Sequence, residues 1–262
     1  MEYETVTVEY DSQTGVGHIT LDRPDSLNAL SEQLSAEIVE ALKSLETQGD
    51  SSDRGLRVVV IEGAGEKAFC AGADINGFSS ANEGERSERR AHEFIPEFPV
   101  PVVAKIDGYC LGGGFELALS CDLRLASDRS TFGFPEVDLG LLPGAGGVQF
   151  VTKLCGPAVA MELAMTGEHV AADWVHEKGL INRIYDSEEF DESVDSFVAS
   201  LAEQAPLAVQ AIKRSARTAV NTSRQEGRRY DRQQFNSLLN TEDFEEGAAA
   251  FAENRDPEFV GR

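Results

Sequence analysis

Two carboxylates and a run of three glycines are the residues of this chain whose types and spacing suit catalysis. Gly112-Gly113-Gly114 stands between a strand-like stretch and the apolar run Phe115 to Cys121, which reads as a buried helix. Glycines at a helix start leave backbone N–H groups uncovered, and those orphan donors together with the helix dipole favour negative charge. Glu116 follows three residues after Gly113, inside the otherwise apolar FELALSC. A carboxylate is rarely buried without a partner or a purpose. The simpler reading is a first-turn acid that complements the dipole. Glu136 is the second unusual acid, following Pro135 in TFGFPEVDLG, where the simpler reading is a surface loop. Side by side in a dry pocket, two such groups raise one another's pKa and divide the roles of acid and base.

Other candidates carry less. Gly63, Gly65 and Gly72 spell neither a Walker A loop, since no GK[ST] follows, nor GxGxxG, and Gly144, Gly146 and Gly147 miss the dinucleotide fingerprint as well. His18, His92, His169 and His176 show no metal-ligand spacing and read as surface or packing residues. No GxSxG elbow or Cys–His pair is present. Cys70, Cys110, Cys121 and Cys155 form no CxxC pair, which favours reduced thiols in a cytoplasm over a disulfide framework or a zinc ribbon.

The elements that must position these groups follow from periodicity. Tyr3 to Tyr10 and Val16 to Leu21 alternate as two strands around a turn at Asp11 to Gly15. Ser31 is a helix N-cap, with Leu34, Ile38, Ala41, Leu42 and Leu45 at helical spacing beyond it. Gly49 to Gly55 is expected to be a loop. Arg57 to Glu62, Pro101 to Ile106 and Asp122 to Ser127 read as strands, while residues 79 to 98 read as a charged loop running into a helix. Trp174, Phe132 and Phe134 are core candidates. Helical patterns dominate from Pro157 and become almost continuous from about residue 189. Strands alternating with helices, then helices alone, predict an α/β core over 1–190 and a helical C-terminal region over 191–262.

Composition narrows the partners. The 262 residues carry 46 Asp+Glu against 23 Lys+Arg, a formal charge of −23. Nucleic-acid binding and adhesion to anionic membranes are disfavoured by that field. A hydrophobic content of 41% supports a core rather than disorder. The N-terminus lacks the basic and apolar regions of a signal peptide, and no apolar run approaches a membrane span. The expectation is a soluble, cytoplasmic protein. The six Lys against seventeen Arg fit either a halophilic surface kept soluble in a salt-rich cytoplasm or an ordinary acidic protein.

Four ordered motifs carry a resemblance. Lys67 to Asp74 (KAFCAGAD), Gly108 to Leu117 (GYCLGGGFEL), Phe134-Pro135-Glu136 and Gly140 to Gly147 (GLLPGAGG), with the earlier Arg23-Pro24 and Leu27 to Leu30 (LNAL), resemble the crotonase superfamily, most closely its enoyl-CoA hydratases. The resemblance runs nearly end to end. It implies an α/β spiral of ββα units with a helical C-terminal trimerisation region, assembled as a homotrimer or a hexamer of two trimers. It implies acyl-CoA thioester substrates and no metal or redox cofactor.

Carried over motif by motif, it makes the backbone N–H groups of Ala73 and Gly113 an oxyanion hole. Glu116 and Glu136 become an acid/base pair holding one water, with Glu116 activating the water and Glu136 protonating the α carbon. It makes Ala71 and the segment Ala73, Asp74, Ile75, Asn76 line the substrate path, with Ser26, Leu27 and Ala29 opposite. Glutamate at both acidic positions favours hydration of 2-enoyl-CoA over the isomerase chemistry of other members. Two expected positive charges are missing. Asn254 stands where relatives often place a CoA-phosphate lysine, leaving Arg255 as a substitute, and Val148-Gln149-Phe150 replaces the common Thr-Gln-Arg. The arginine-rich RQEGRRYDR (Arg224 to Arg232) and Asp128-Arg129 read as solvated helix faces, with contact to a phosphate the alternative for the arginine-rich run.

Overall fold

The structure, a computed structural model, describes residues 3–52, 54–74 and 90–262. Strands β1 (Val6–Asp11) and β2 (Val16–Leu21) form an antiparallel hairpin, and helix α1 (Glu32–Asp50) follows. The Ser31 hydroxyl accepts the Leu34 N–H at 3.1 Å, so the serine is the N-cap its position predicted. The expected loop at Gly49 to Gly55 begins later than its glycine suggested. α1 runs on through Gly49 to Asp50, and the glycine is there because Leu56 leaves no room for a Cβ.

Three strand–strand–helix units then succeed one another: β3 (Val58–Gly63), β4 (Ala68–Cys70) and α2 (Ala91–Phe94); β5 (Val102–Ile106), β6 (Tyr109–Leu111) and α3 (Gly113–Ser120); β7 (Leu123–Ser127), β8 (Thr131–Gly133) and, after a 3₁₀ turn at Pro135–Leu139, α4 (Gly147–Cys155). The first strand of each unit joins one sheet and the second joins another, so the chain winds as a spiral. α5 (Pro157–Thr166), β9 (Val170–Ala171), α6 (Ala172–Glu177) and β10 (Arg183–Tyr185) complete it. The larger sheet has the order β1-β2-β3-β5-β7-β10, parallel from β2 onward, and the smaller has β4-β6-β8-β9. α7 (Phe190–Ala202), α8 (Pro206–Ala219), α9 (Arg224–Leu238) and α10 (Glu242–Glu253) follow.

Both faces of the larger sheet are covered, as parallel sheets require. Alternate residues of β3 divide between two cores: Val59 and Ile61 face inward with Phe69, Phe115 and Phe132, whereas Val58 and Val60 face Phe190, Val194 and Val198 of α7. The boundary expected at residue 190 therefore falls at the first residue of a helix laid on the sheet. By contrast, α9 buries none of its residues, and its arginines are solvent-exposed as expected. Trp174 is only partly buried, packed against the core edge beneath Lys178.

Candidate active site

Each functional group sits just beyond the end of a short strand. β4 and β6 pair in parallel with Cys70 opposite Cys110, so Ala73 and Gly113 each lie three residues past the paired position. The expected helix start at Phe115 is corrected to Gly113. Gly112 takes a positive φ of 48°, available to glycine at little cost, and this turns the chain so that the helix begins within the glycine run. A Cβ on Gly114 would overlap the Cys70 carbonyl, so this glycine lets α3 rest directly on β4.

Gly113 is the first residue of α3, and its N–H has no helical acceptor to bond. A Cβ placed on Gly113 would stand 3.4 Å from Ala73 N and 3.8 Å from Ala73 Cα, so the two segments touch through backbone. Residues 27–30 hold the second segment in place. Leu30 N–H donates to Gly72 O at 2.8 Å, Asp74 N–H to Leu30 O at 3.1 Å and Ala71 N–H to Leu27 O at 3.0 Å. This parallel bridge uses the groups on either side of Ala73 and leaves the Ala73 N–H outside it. Arg23 ties the pieces together, donating to Ala29 O and pairing with Asp74 Oδ2 at 2.8 Å. Buried Asn28, at a positive φ of 54°, donates to Ala64 O and Ala68 O and accepts the Arg23 N–H. The structure thus brings Leu27 against Ala71 and links Ala29 to Asp74 through Arg23, while Ser26 hydrogen-bonds locally, with Arg23 and Ala29. Ile75 and Asn76 lie outside the described residues.

Glu116 faces the interior, 3% exposed. It does more than complement its own helix. Oε1 accepts the Ala145 and Gly147 N–H groups, each at 2.7 Å, and so caps the start of α4. Burial is the main force raising its pKa to about 7; nearby Glu136 adds to the rise and the two N–H bonds oppose it. Glu136 is on the 3₁₀ turn, not in a surface loop. Phe115 holds the approach to that turn, its ring 5.0 Å from Phe134 and 5.3 Å from Phe132. Glu136 Oε1 stands 2.9 Å from where a Cβ on Gly112 would be, which places the carboxyl against the glycine run. Its Oε2 is buried with no hydrogen-bond partner among the described residues, and burial raises its pKa too. The arrangement is two backbone donors, two carboxyl groups that resist simultaneous ionisation, and no cation paired to either among the described residues.

The helix α4 was not anticipated. Its glycine-rich start reads as loop, and nothing local in the sequence announces that its N–H groups serve a glutamate 31 residues earlier. Arg255 is committed elsewhere, paired with Glu246 and Glu253, while Asn254 takes the left-handed C-cap of α10 at φ 54°. No group of His, Cys, Asp and Glu suited to a metal ion occurs among the described residues, and the four thiols are unpaired. No described helix is long and apolar enough to cross a membrane. A polar cavity of about 640 Å³ at the carboxyl ends of β3 and β5 holds neither glutamate, and its Lys105 is already paired with Glu62 and Asp191.

Comparison with known proteins gives this site a family. The enoyl-CoA hydratase/isomerase family model matches residues 11–262. A Mycobacterium bovis protein named a probable enoyl-CoA hydratase is 36% identical over 272 residues, covering all of both chains. A carnitinyl-CoA dehydratase of Salmonella arizonae is 38% identical over 257 residues, covering 93% of this chain and 94% of its own. An enoyl-CoA hydratase subunit I crystal structure from Geobacillus kaustophilus superposes with a TM-score of 0.90 at 40% identity, covering 100% of each chain. The chain belongs to the enoyl-CoA hydratase/isomerase family and has the crotonase fold. It is an enzyme of the hydro-lyase type.

Proposed function

We propose that the protein adds water reversibly to a 2-trans-enoyl-CoA to give the 3-hydroxyacyl-CoA. The observation that carries this reading is the pair Glu116 and Glu136 beside two backbone donors that have no acceptor among the described residues. The thioester oxygen lies between the Ala73 and Gly113 N–H groups, which are placed for the charge that builds as the carbonyl becomes an enolate. One such donor typically contributes about 2.7–4 kcal/mol of transition-state stabilisation. Burial raises the pKa of both carboxyl groups, and coupled carboxyls of this kind can divide the roles of acceptor and donor.

The two N–H bonds to Glu116 Oε1 favour its anion. Glu116 takes a proton from the water as its oxygen bonds to the β carbon, the electron pair of the double bond passes to the thioester oxygen, and Glu136 delivers a proton to the α carbon. CoA enters as part of the substrate, along Ala71 to Asn76 and the facing Ser26, Leu27 and Ala29, and the chemistry needs no metal or redox cofactor. A second reading, isomerisation of a 3-enoyl-CoA, is kept because the matching family spans both activities. Loss of the conjugated-thioester absorbance of crotonyl-CoA tests hydration directly. No loss with any 2-enoyl-CoA, together with conversion of 3-enoyl-CoA, would replace the first reading by the second.

We further propose that the chain works as a homotrimer or a hexamer of two trimers. An apolar groove of about 370 Å³ lined by Phe235, Leu238, Leu239, Phe244 and Phe259 opens between α8, α9 and α10, and Phe251 is 91% exposed. Such a surface suits contact with other copies. Light scattering on the purified protein gives the mass, and a monomer would contradict the assembly.

A further inference from the structure

Two arginines reach the end of α3 opposite Gly113, and a lysine pairs with Asp122 just beyond it. An eight-residue helix leaves its last four carbonyls without helical partners, and here that end is buried. Arg124, 7% exposed, donates to Cys121 O at 2.9 Å, to Ala118 O at 3.4 Å and to Leu180 O at 2.7 Å. Arg217 reaches across from α8 to donate to Ser120 O at 2.8 Å, Cys121 O at 3.2 Å and Asp122 Oδ1 at 2.9 Å. Lys213, one turn earlier on α8 and 8% exposed, meets Asp122 Oδ2 at 2.6 Å and donates to Val100 O at 2.9 Å. Asp122 Oδ2 also accepts the Val102 N–H at 2.8 Å, which ties the cluster to the start of β5.

A buried ion pair is a poor way to gain stability, since an apolar pair of the same volume often does as well; its geometry, however, is directional. Here Arg217 and Arg124 each reach a carbonyl of one short rod, Ser120 O and Ala118 O, while Lys213 reaches it only through Asp122, two residues past its end. α3 is about 12 Å long, at ~1.5 Å per residue, and a rod held at its C-terminal end presents its first N–H at a set height. The opposing donor, Ala73, belongs to a different segment anchored by Leu30 and Arg23. The spacing of the two donors therefore depends on two independent anchorages, and hydrogen bonds to a developing oxyanion weaken steeply once distance or angle drifts. We infer that Lys213 and Arg217 are positioning residues of the oxyanion hole: through Asp122 and the terminal carbonyls of α3 they set Gly113 N–H against Ala73 N–H. Helix α8 of the C-terminal region is thereby part of the catalytic apparatus. This inference rests on the oxyanion-hole reading above.

The test compares Lys213→Met and Arg217→Gln with Arg217→Lys and with Arg57→Met. Arg57 is a matched control, a buried arginine that donates to Arg54 O and Phe259 O and makes no contact with α3. The readouts are kcat, KM and the absorption maximum of a bound 2,4-dienoyl-CoA, which moves to the red as donors polarise its thioester carbonyl. We expect kcat to fall tenfold or more in Lys213→Met and Arg217→Gln with KM within threefold. The red shift should shrink in step, Arg217→Lys should recover part of both, and Arg57→Met should lose thermal stability alone. A full red shift and normal kcat in the first two variants would overturn the inference, as would equal losses in Arg57→Met. If Lys213→Met fails to fold, Arg217→Gln carries the comparison, its side chain being partly exposed. Absence of a red shift in the unaltered enzyme would instead remove the oxyanion reading itself.

Discussion

Replacing Glu116 by glutamine is expected to abolish activity and, at alkaline pH, to stabilise the fold. The folded chain holds this carboxyl at about 7 against an ordinary 4.5. Between those values the folded state binds the proton more tightly than the unfolded chain, so stability falls as pH rises across that window and is level above it. At about 1.36 kcal/mol per pH unit of displacement, the ionised group costs the native state about 3 kcal/mol at pH 8 and above. Glutamine carries no charge, and its carbonyl oxygen can still accept the Ala145 and Gly147 N–H groups that now bond Oε1. With roughly 2–4 °C of melting temperature per kcal/mol for a chain of this size, the variant should melt at least about 6 °C above the unaltered protein at pH 8.5. The gap should shrink steadily as pH falls toward 5. Thermal unfolding of both proteins across that range checks it. A gap that is flat with pH, or that widens toward acid, would refute the argument that burial rather than hydrogen bonding controls this group.

Three further outcomes follow from the same site and surface. Glu116→Gln and Glu136→Gln should each lower crotonyl-CoA hydration at least about 100-fold, the scale of general acid–base catalysis, and near-normal turnover in either would remove that residue from the mechanism. Gly112→Ala forces a side chain onto a φ of 48° and places its Cβ 2.9 Å from Glu136 Oε1. The strain is on the order of 1–3 kcal/mol, so a lower melting temperature and a tenfold or greater drop in kcat are expected, and unchanged kcat would show that Glu136 does not need that backbone beside it. With a charge of −23 and Arg255 already paired, stability and CoA binding should both strengthen from low salt to molar salt, where the Debye length is about 3 Å. Calorimetry across salt checks both, and tighter CoA binding at low salt would show that local arginines outweigh the global field.

Five strands of the larger sheet were readable in the sequence because they are long enough to show a pattern, whereas three-residue β10 was not. Val16 to Leu21 was expected and observed with the same ends, and Ser31 caps α1 through the hydroxyl its type suggests. The smaller sheet was not readable: β4, β6 and β8 have three residues each, too few to express a period of two. The two glutamates stood out because an acid inside FELALSC contradicts its surroundings. What holds them did not. The N–H bonds from Ala145 and Gly147, the Arg23–Asp74 pair and the Lys213–Asp122 pair join positions 29 to 91 residues apart, and only the fold brings such partners together.

Ala73 and Gly113 descend from neighbouring parallel strands at the same offset from a paired rung. Adjacent strands lie about 4.8 Å apart whatever side chains they carry, so the two segments leave their paired rung at a spacing that the main chain sets. That spacing works as a coarse ruler cut in main chain, which the side-chain anchorages of the two segments then trim. The carboxylates and the surface charge are then free to drift under selection while, on the function proposed above, the two backbone donors keep their place, and new reactions can be tried on an inherited clamp.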